Sequence, residues 1–277
     1  MKSEYYKEIP ILNWDTFKKY ISDLDSQWVF RGQRCAEWGL MTSIERDLAG
    51  VDPSTFEMQI VEKFQQRAPH YIKYGTHPQG IVEWLALMQH HGAPTRLLDW
   101  TFSPYVAAYF ALESASDDCA IWAIDYSWLR TKTIVKIMES NITNFQDREG
   151  MVTDTWFSKL DFYDLMFNRR EKMVIPLVPE RLNERQIIQQ GLFLFGSHRQ
   201  YTFESNLEAY EEQELSKRFY KFVLDKKVRN EALREQSLMN ISAATLFPGL
   251  DGLSKSLSIE TQLLSEDIHR NSTEDEY

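Results

Sequence analysis

The chain has 277 residues, 43% of them hydrophobic and 13% aromatic, which is enough for a sizeable core and argues against global disorder. Its formal net charge of −10 argues against nonspecific binding of nucleic acid, although a local basic groove stays compatible with that charge. Its two cysteines suit a reducing compartment, and their spacing does not indicate zinc. The first residues lack an apolar signal segment and no apolar run could span a bilayer, so we expect a cytoplasmic protein with no membrane partner.

Helical spacing and short apolar runs alternate irregularly along the chain. The patterns predict helices over 14–24, 81–91, 105–114, 157–167, 207–218 and 227–240. A further helix is predicted to begin with a capping box at Ser54 and Glu57 and to end at about residue 68. Strands are predicted over 28–30, 119–126, 173–178, 192–195 and 219–224. Residues 95–100 fit a strand or a turn, and 183–190 fit a helix or the approach to a turn. Loops or turns are predicted at 31–33, 141–154 and 246–252.

This mixture predicts an α/β or α+β fold, with a mixed central sheet flanked by helices and a strand order that the pattern leaves open. We expect a single domain over residues 1–264. Its C-terminal portion, from about residue 204, is predicted to be helical, and residues 265–277 are predicted to be a disordered tail.

The densest cluster of polar groups lies in residues 84–111, between two apolar helical patterns. Two adjacent histidines, an arginine, an aspartate and two threonines fall within this segment. Gly92 is typical of the residue after a helix, and Pro94 prevents continuation. Ser103 followed by Pro104 is typical of a helix start. The segment therefore predicts a functional site, part of whose polarity serves as scaffold.

Four segments occur in an order that resembles one family. They are FRGQ at 30–33, QHHGAPTRLLDWT at 89–101 with AAYFA at 107–111, Arg185 with QQGLF at 189–193, and LFPGLDGL at 246–253. Together they resemble the FRG-domain family of bacterial and phage proteins. Members of that family are often encoded near mobile elements and defence genes, so the resemblance implies a toxin or phage-defence component.

The same layout is similar to that of the ADP-ribosyltransferase superfamily. The similarity implies that Arg31 ends an early strand, that Thr101 leads into a helix carrying Tyr105 and Tyr109, and that Gln189 or Gln190 lies on a late strand or turn. In such a site a guanidinium grips the NAD pyrophosphate and a tyrosine stacks on nicotinamide. The third group bonds the ribose hydroxyls of an oxocarbenium-like transition state. A glutamine stabilises that cationic character less than the usual glutamate.

Site roles follow from these patterns and resemblances. Catalytic roles are expected for Arg31, Tyr105 and Gln189. Roles in substrate or cofactor binding are expected for Gly32, Gln33, His91, Thr95, Arg96, Thr101 and Tyr109. Structural roles are expected for Asp99, Trp100 and Gly191. NAD is the expected cofactor, and no metal is expected because suitably spaced ligands are lacking.

Structural interpretations of the same residues remain open. Arg31 could pair with Asp99 or another carboxylate, and Arg96 could form an ion pair with Asp99. One or both histidines could cap the end of a helix.

Three functions compete. The first is an enzyme that acts on NAD or another nucleotide-type small molecule, such as a toxin or phage-defence effector, with a protein or nucleic acid as target. The second is a non-catalytic sensing module. The third, a nuclease or hydrolase, would use His90, His91 and Asp99, but it ranks last because a metal nuclease needs several carboxylates.

Overall fold

The computed structural model describes residues 5–24, 27–48, 50–72, 77–139, 161–168, 170–179 and 183–274. Their strands are β1 (Lys7–Ile11), β2 (Trp28–Gln33), β3 (Leu98–Thr101), β4 (Cys119–Asp125), β5 (Val174–Leu177), β6 (Gly191–Gly196) and β7 (Phe219–Leu224). In this part of the chain they form one seven-stranded sheet in the order β1-β7-β4-β2-β3-β6-β5. The pair β1 and β7 is parallel and the other neighbours are antiparallel.

Helices flank this sheet. They are α1 (Trp14–Ser22), α2 (Ser43–Leu48), α3 (Glu57–Arg67), α4 (Ile81–His90), α5 (Pro104–Leu112), α6 (Tyr126–Glu139), α7 (Phe162–Phe167), α8 (Glu184–Ile188), α9 (Phe203–Leu207), α10 (Glu212–Leu215), α11 (Val228–Leu238), α12 (Ala243–Leu246) and α13 (Leu250–Glu274). The predicted class, a mixed sheet flanked by helices, is confirmed.

The sheet has a hydrophobic core on each face, because side chains alternate along a strand. Every residue of β4 is buried. Trp122 and Ile124 pack into one core with β6 and α4, whereas Ile121 and Ala123 pack into the other with α1 and α5. The continuous apolar run of β4 therefore reflects burial on both faces.

Several helix ends follow the predicted chemistry. Gly92, at φ +77°, follows the last residues of α4. Ser103 caps α5 by accepting from the Val106 amide at 3.2 Å, and Pro104 is its first residue. A capping box between Asn183 and Gln186 begins α8, so the helical alternative for 183–190 is confirmed.

Strand β2 is longer than predicted. The sequence places Arg31, Gly32 and Gln33 in a turn, but they pair with Trp122, Ile121 and Ala120 of β4. Strand β2 continues through these residues because the first residues of β4 supply them with main-chain partners. This long-range pairing outweighs the polar character of the three residues.

The predicted capping box at Ser54 and Glu57 is wrong, and so is an ion pair between Arg96 and Asp99. Asp52 accepts from the Ser54 amide at 2.9 Å and begins a 3₁₀ turn. Glu57 is buried and pairs with Arg96, whose Nε lies 2.5 Å from Glu57 Oε1. A buried guanidinium needs a buried carboxylate, which Asp99, exposed on β3, does not provide.

The C-terminal part differs from the sequence pattern in two places. In place of the helix predicted over 207–218 the structure has the short helix α10, and α9 ends at Leu207. The turn predicted at 246–252 is present but shorter, at 247–249 between α12 and α13. Helix α13 continues to Glu274, past the start of the predicted tail. The predicted loop at 141–154 and the first residues of the helix predicted at 157–167 lie outside the described residues.

Candidate ligand-binding cleft

The sheet divides where β2 meets β3. These strands pair at a single position, Phe30 with Thr101, after which β2 continues along β4 and β3 along β6. Residues 31–33 of β2 and 99–101 of β3 line a cleft of ≈ 910 Å³. Arg31 spans the two strands, since its Nη1 donates to the main-chain oxygen of Asp99 at 2.7 Å.

Gly32 allows α5 to lie directly on β2. A Cβ atom at this position would stand 2.0 Å from the main-chain oxygen of Ala107 and 2.6 Å from the nitrogen of Ala111. No side chain fits between a strand and a helix that are this close. Gly32 therefore sets the helix-to-strand distance beside the cleft.

Four arginines line the cleft, although the chain as a whole is acidic. They are Arg31, Arg34, Arg46 and Arg185. The Arg34 guanidinium lies over the Trp38 ring at 5.1 Å, and Arg46 Nη1 donates to the oxygen of Met41 at 2.9 Å. Within the described part of the chain, none of the four forms an ion pair with a carboxylate. Guanidinium groups that are not neutralised in this way make the cleft suited to an anion.

Three carboxylates also line the cleft, namely Glu37, Asp99 and Glu113. Glu113 is neutralised by Lys255, whose Nζ lies 2.7 Å from Glu113 Oε2. The Asp99 carboxylate accepts one bond, at 2.9 Å from Gln89 Nε2. Asp99 and Glu37 are both exposed at the cleft.

Arg31 is the most constrained of the four arginines. It is half-buried, and its Nε is buried without an acceptor. Burial lowers the pKa of its guanidinium, Asp99 opposes that effect and Arg46 adds to it. Burying a cation with an unsatisfied donor costs free energy, which an anion in the cleft would offset.

The loop after α8 brings Gln189 to the cleft. Its Nε2 donates to the main-chain oxygen of Leu246 at 2.8 Å, and its own main-chain oxygen accepts from Thr101 Oγ1 at 2.6 Å. Gln190 adopts φ +48°, and Gly191 then begins β6 opposite Thr101. Arg31, Thr101 and Gln189, distant in sequence, therefore line one cleft.

Other predicted site residues lie elsewhere. Tyr105 packs edge-on to Trp14 at 6.2 Å, and Tyr109 is 2% exposed in the same core. Neither lines the cleft, which receives Phe110 and Glu113 from this part of the chain. Successive helical residues point about 100° apart, so one face of α5 serves the core while another serves the cleft.

Three predicted binding residues also lie away from the cleft. His91 is exposed at the end of α4, Thr95 donates to Gln89 Oε1 at 2.5 Å, and Arg96 belongs to the buried pair with Glu57. Gln33 does line the cleft. Its Nε2 donates to Gly39 O at 3.0 Å, and its Oε1 accepts from Trp122 Nε1 at 2.7 Å. Trp100, given a structural role, is 3% exposed and its Nε1 has no acceptor.

Sequence reasoning missed Arg34, Arg46 and Glu113 as cleft residues and assigned no role to Arg185, and it named His90 only in the nuclease or hydrolase hypothesis. The signal that could have indicated an anion-binding cleft was the pair Arg31 and Arg34, which lie close together at the end of β2 in an acidic chain. Within the ranges described above, no His, Cys, Asp or Glu side chains group in threes to hold a metal. No helix of those ranges is both long enough and apolar enough to cross a membrane.

Residues 26–119 match the model of the FRG domain. The chain contains an FRG domain. This domain supplies Arg31, Arg34, Arg46, His90 and Asp99 to the cleft, whereas the cleft residues from 183 to 193 lie outside the match. No curated protein and no solved structure matches the chain.

Proposed function

We propose that the cleft binds a nucleotide-type ligand by its phosphates, with NAD as the first choice, and that the protein is an NAD- or nucleotide-directed enzyme. One observation carries the proposal: four arginines line the cleft, and none pairs with a carboxylate in the described part of the chain. A pyrophosphate offers several acceptors, which guanidinium groups bind bidentately. The half-exposed Trp38 ring, beside Arg34, offers a face on which a base can stack.

The reaction favoured by this ligand is transfer of the ADP-ribosyl group. The glycosidic C–N bond of NAD breaks, nicotinamide leaves with the bonding electron pair, and an acceptor nucleophile attacks the ribose carbon and loses its proton. Arg31 would hold the pyrophosphate and Gln189 would bond a ribose hydroxyl. Asp99, at the cleft, would stabilise the oxocarbenium-like sugar better than a neutral glutamine does.

Binding is tested by calorimetric titration with NAD, ADP-ribose and adenosine. We expect NAD and ADP-ribose to bind and adenosine, which lacks phosphate, to bind far more weakly. Loss of one charge-assisted hydrogen bond costs about 1.5–3 kcal/mol, so Arg31→Gln and Arg46→Gln should each weaken ADP-ribose binding by about 10- to 100-fold. Arg67→Gln, on an exposed part of α3 outside the cleft, is the matched control. Failure of both phosphate-bearing ligands to bind refutes the proposal.

Turnover is tested with labelled NAD and cell lysate. An enzyme releases nicotinamide or transfers the label. Arg46→Gln, which leaves the bond from Arg31 to Asp99 intact, should reduce both at NAD concentrations that do not saturate the variant. NAD binding without either outcome identifies a sensing module. Activity that EDTA removes, on a nucleic acid substrate, identifies a nuclease instead.

The role in defence or toxicity is tested in cells. A toxin inhibits growth when overexpressed, and Arg31→Ala relieves the inhibition. A sensing module is harmless alone and co-purifies with a partner.

A further inference from the structure

Phe247, at the junction of α12 and α13, contacts both parts of the cleft. Its ring lies edge-on to Phe110 at 5.8 Å and 81°, and Phe110 lines the cleft within the FRG domain. The Arg185 guanidinium lies over the same ring at 4.5 Å, and Arg185 lines the cleft from outside that domain. One aromatic ring therefore links the two sequence regions that form the cleft.

The main chain of Phe247 is itself fixed. Its amide donates to the oxygen of Ala243 at 2.9 Å, and Gln189 Nε2 donates to the oxygen of the preceding Leu246 at 2.8 Å. A Cβ at Gly252 would stand 1.9 Å from the Phe247 oxygen, so the first turn of α13 lies directly against this residue.

A second cation completes the arrangement. Lys255 Nζ lies 5.1 Å from the Phe247 ring and 2.7 Å from Glu113 Oε2. The ring attracts both cations through its negative face. Lys255 therefore contacts both the Phe247 ring and the carboxylate of Glu113, which lines the cleft.

We propose that Phe247 is a positioning residue of the cleft, which orients the Arg185 guanidinium toward the phosphates of the ligand. This rests on the proposed function. A free arginine side chain loses rotamer freedom when it binds, whereas one already held on a ring loses less. The C-terminal segment thus completes a binding site whose other arginines belong to the FRG domain.

The test compares Phe247→Leu, which keeps an apolar side chain without a ring, with Phe247→Tyr, which keeps the ring. We expect Phe247→Leu to weaken ADP-ribose binding by about five- to tenfold and Phe247→Tyr to restore binding to within about twofold. Leu257→Ala, an exposed position on α13, is the control and should bind as the wild type does. Melting temperatures show whether each variant is folded.

A double-mutant cycle separates positioning from general support of the fold. In an Arg185→Gln background, Phe247→Leu should weaken binding by less than about twofold, because the residue through which it acts is gone. An unchanged five- to tenfold effect in that background overturns the proposal, as does wild-type affinity in Phe247→Leu alone.

A ligand-free measurement distinguishes this inference from the proposed function. The ring of Phe247 should shift the side-chain proton resonances of Arg185 upfield in the wild type and in Phe247→Tyr, but not in Phe247→Leu. Absence of that shift in the wild type overturns the positioning role whatever the ligand. If the shift is present but ADP-ribose does not bind, the proposed function fails and the role of Phe247 toward a ligand fails with it.

Discussion

His90 and His91 are adjacent in sequence but lie in different environments. His90 lines the cleft, whereas His91 is exposed at the end of α4 and does not line it. Their rings meet edge-on at 4.9 Å. The pKa of His90 is lowered, chiefly by burial and further by the positive charges of His91 and Arg185. Its neutral form is therefore favoured in the ligand-free protein.

The lowered pKa of His90 predicts a pH dependence of ligand binding. A bound phosphate favours the charged imidazole and raises its pKa again, so proton uptake accompanies binding and affinity increases as pH falls through the range in which His90 titrates. Titrations of ADP-ribose between about pH 5 and 8 should show this increase in the wild type. His90→Gln should flatten the profile, and His91→Gln, the matched control, should preserve the slope. Identical profiles for the two variants would contradict the assignment of His90 to the cleft.

At the scale of elements, the contact between β2 and α5 forms one side of the cleft. The strand brings Arg31 to the cleft, and the helix brings Phe110. The distance between β2 and α5 depends on Gly32, because the main chain of α5 lies directly on this residue. Packing between these two elements thus controls where the cleft residues stand.

Gly32→Ala should therefore destabilise the protein by about 3 kcal/mol or more, since overpacking costs 1–3 kcal/mol even where neighbours can adjust and here the neighbours are main chain. Denaturant unfolding measures the change. Gly80→Ala is the matched control, because no atom lies within 4 Å of a Cβ built there, and it should change the free energy of unfolding by less than about 1 kcal/mol. Equal stability of the two variants would refute the role given to Gly32.

Some features of these elements were predictable and others were not. The ends of α4 and α5 follow local rules at Gly92, Ser103 and Pro104. The face of α5 that meets the cleft could not be predicted, because the helix is apolar on all sides and carries no amphipathic signal. Tyr105 and Tyr109 were assigned to the site from the similarity of layout, and the pattern of α5 offered no signal that Phe110 lines the cleft in their place.

At the scale of the whole molecule, the FRG match covers part of one sheet. It includes β2, β3 and α5 but ends at Cys119, the first residue of β4. Strand β2 pairs along its whole length with β4, and β3 pairs with β6. The segment 26–119 thus lacks the strands on which its own strands depend.

We therefore expect a fragment of residues 26–119 not to fold by itself. Far-UV circular dichroism and thermal unfolding should show little ordered structure and no cooperative transition, whereas the full chain should unfold cooperatively. A cooperative transition in the fragment would show that β4, β6 and β7 are not needed for the fold.

The strand order was beyond sequence reasoning for the same reason. Four of the six pairings in the described sheet join strands that are not consecutive in the chain, such as Arg31 of β2 with Trp122 of β4, and apolar alternation carries no information about partners. The Arg96–Glu57 pair was missed for an equivalent reason, since 39 residues separate its members. The similarity of layout predicted that Arg31 and Gln189 meet beside the segment from Thr101 to Tyr109. Thr101 lines the cleft with them but Tyr105 does not, and the other arginines were not predicted.

The two parts of the sheet, β2 with β4 and β3 with β6, are joined in the described residues by the single pairing of Phe30 with Thr101. A rotation of about 10° about this pair would move a residue three positions away, roughly 10 Å along a strand, by roughly 2 Å. The bond from Arg31 to the Asp99 oxygen joins the two strands close to this pair. A ligand that takes the Arg31 Nη1 group from the Asp99 oxygen would remove this bond between the two strands, whereas one that binds the unpartnered Nε would leave it in place.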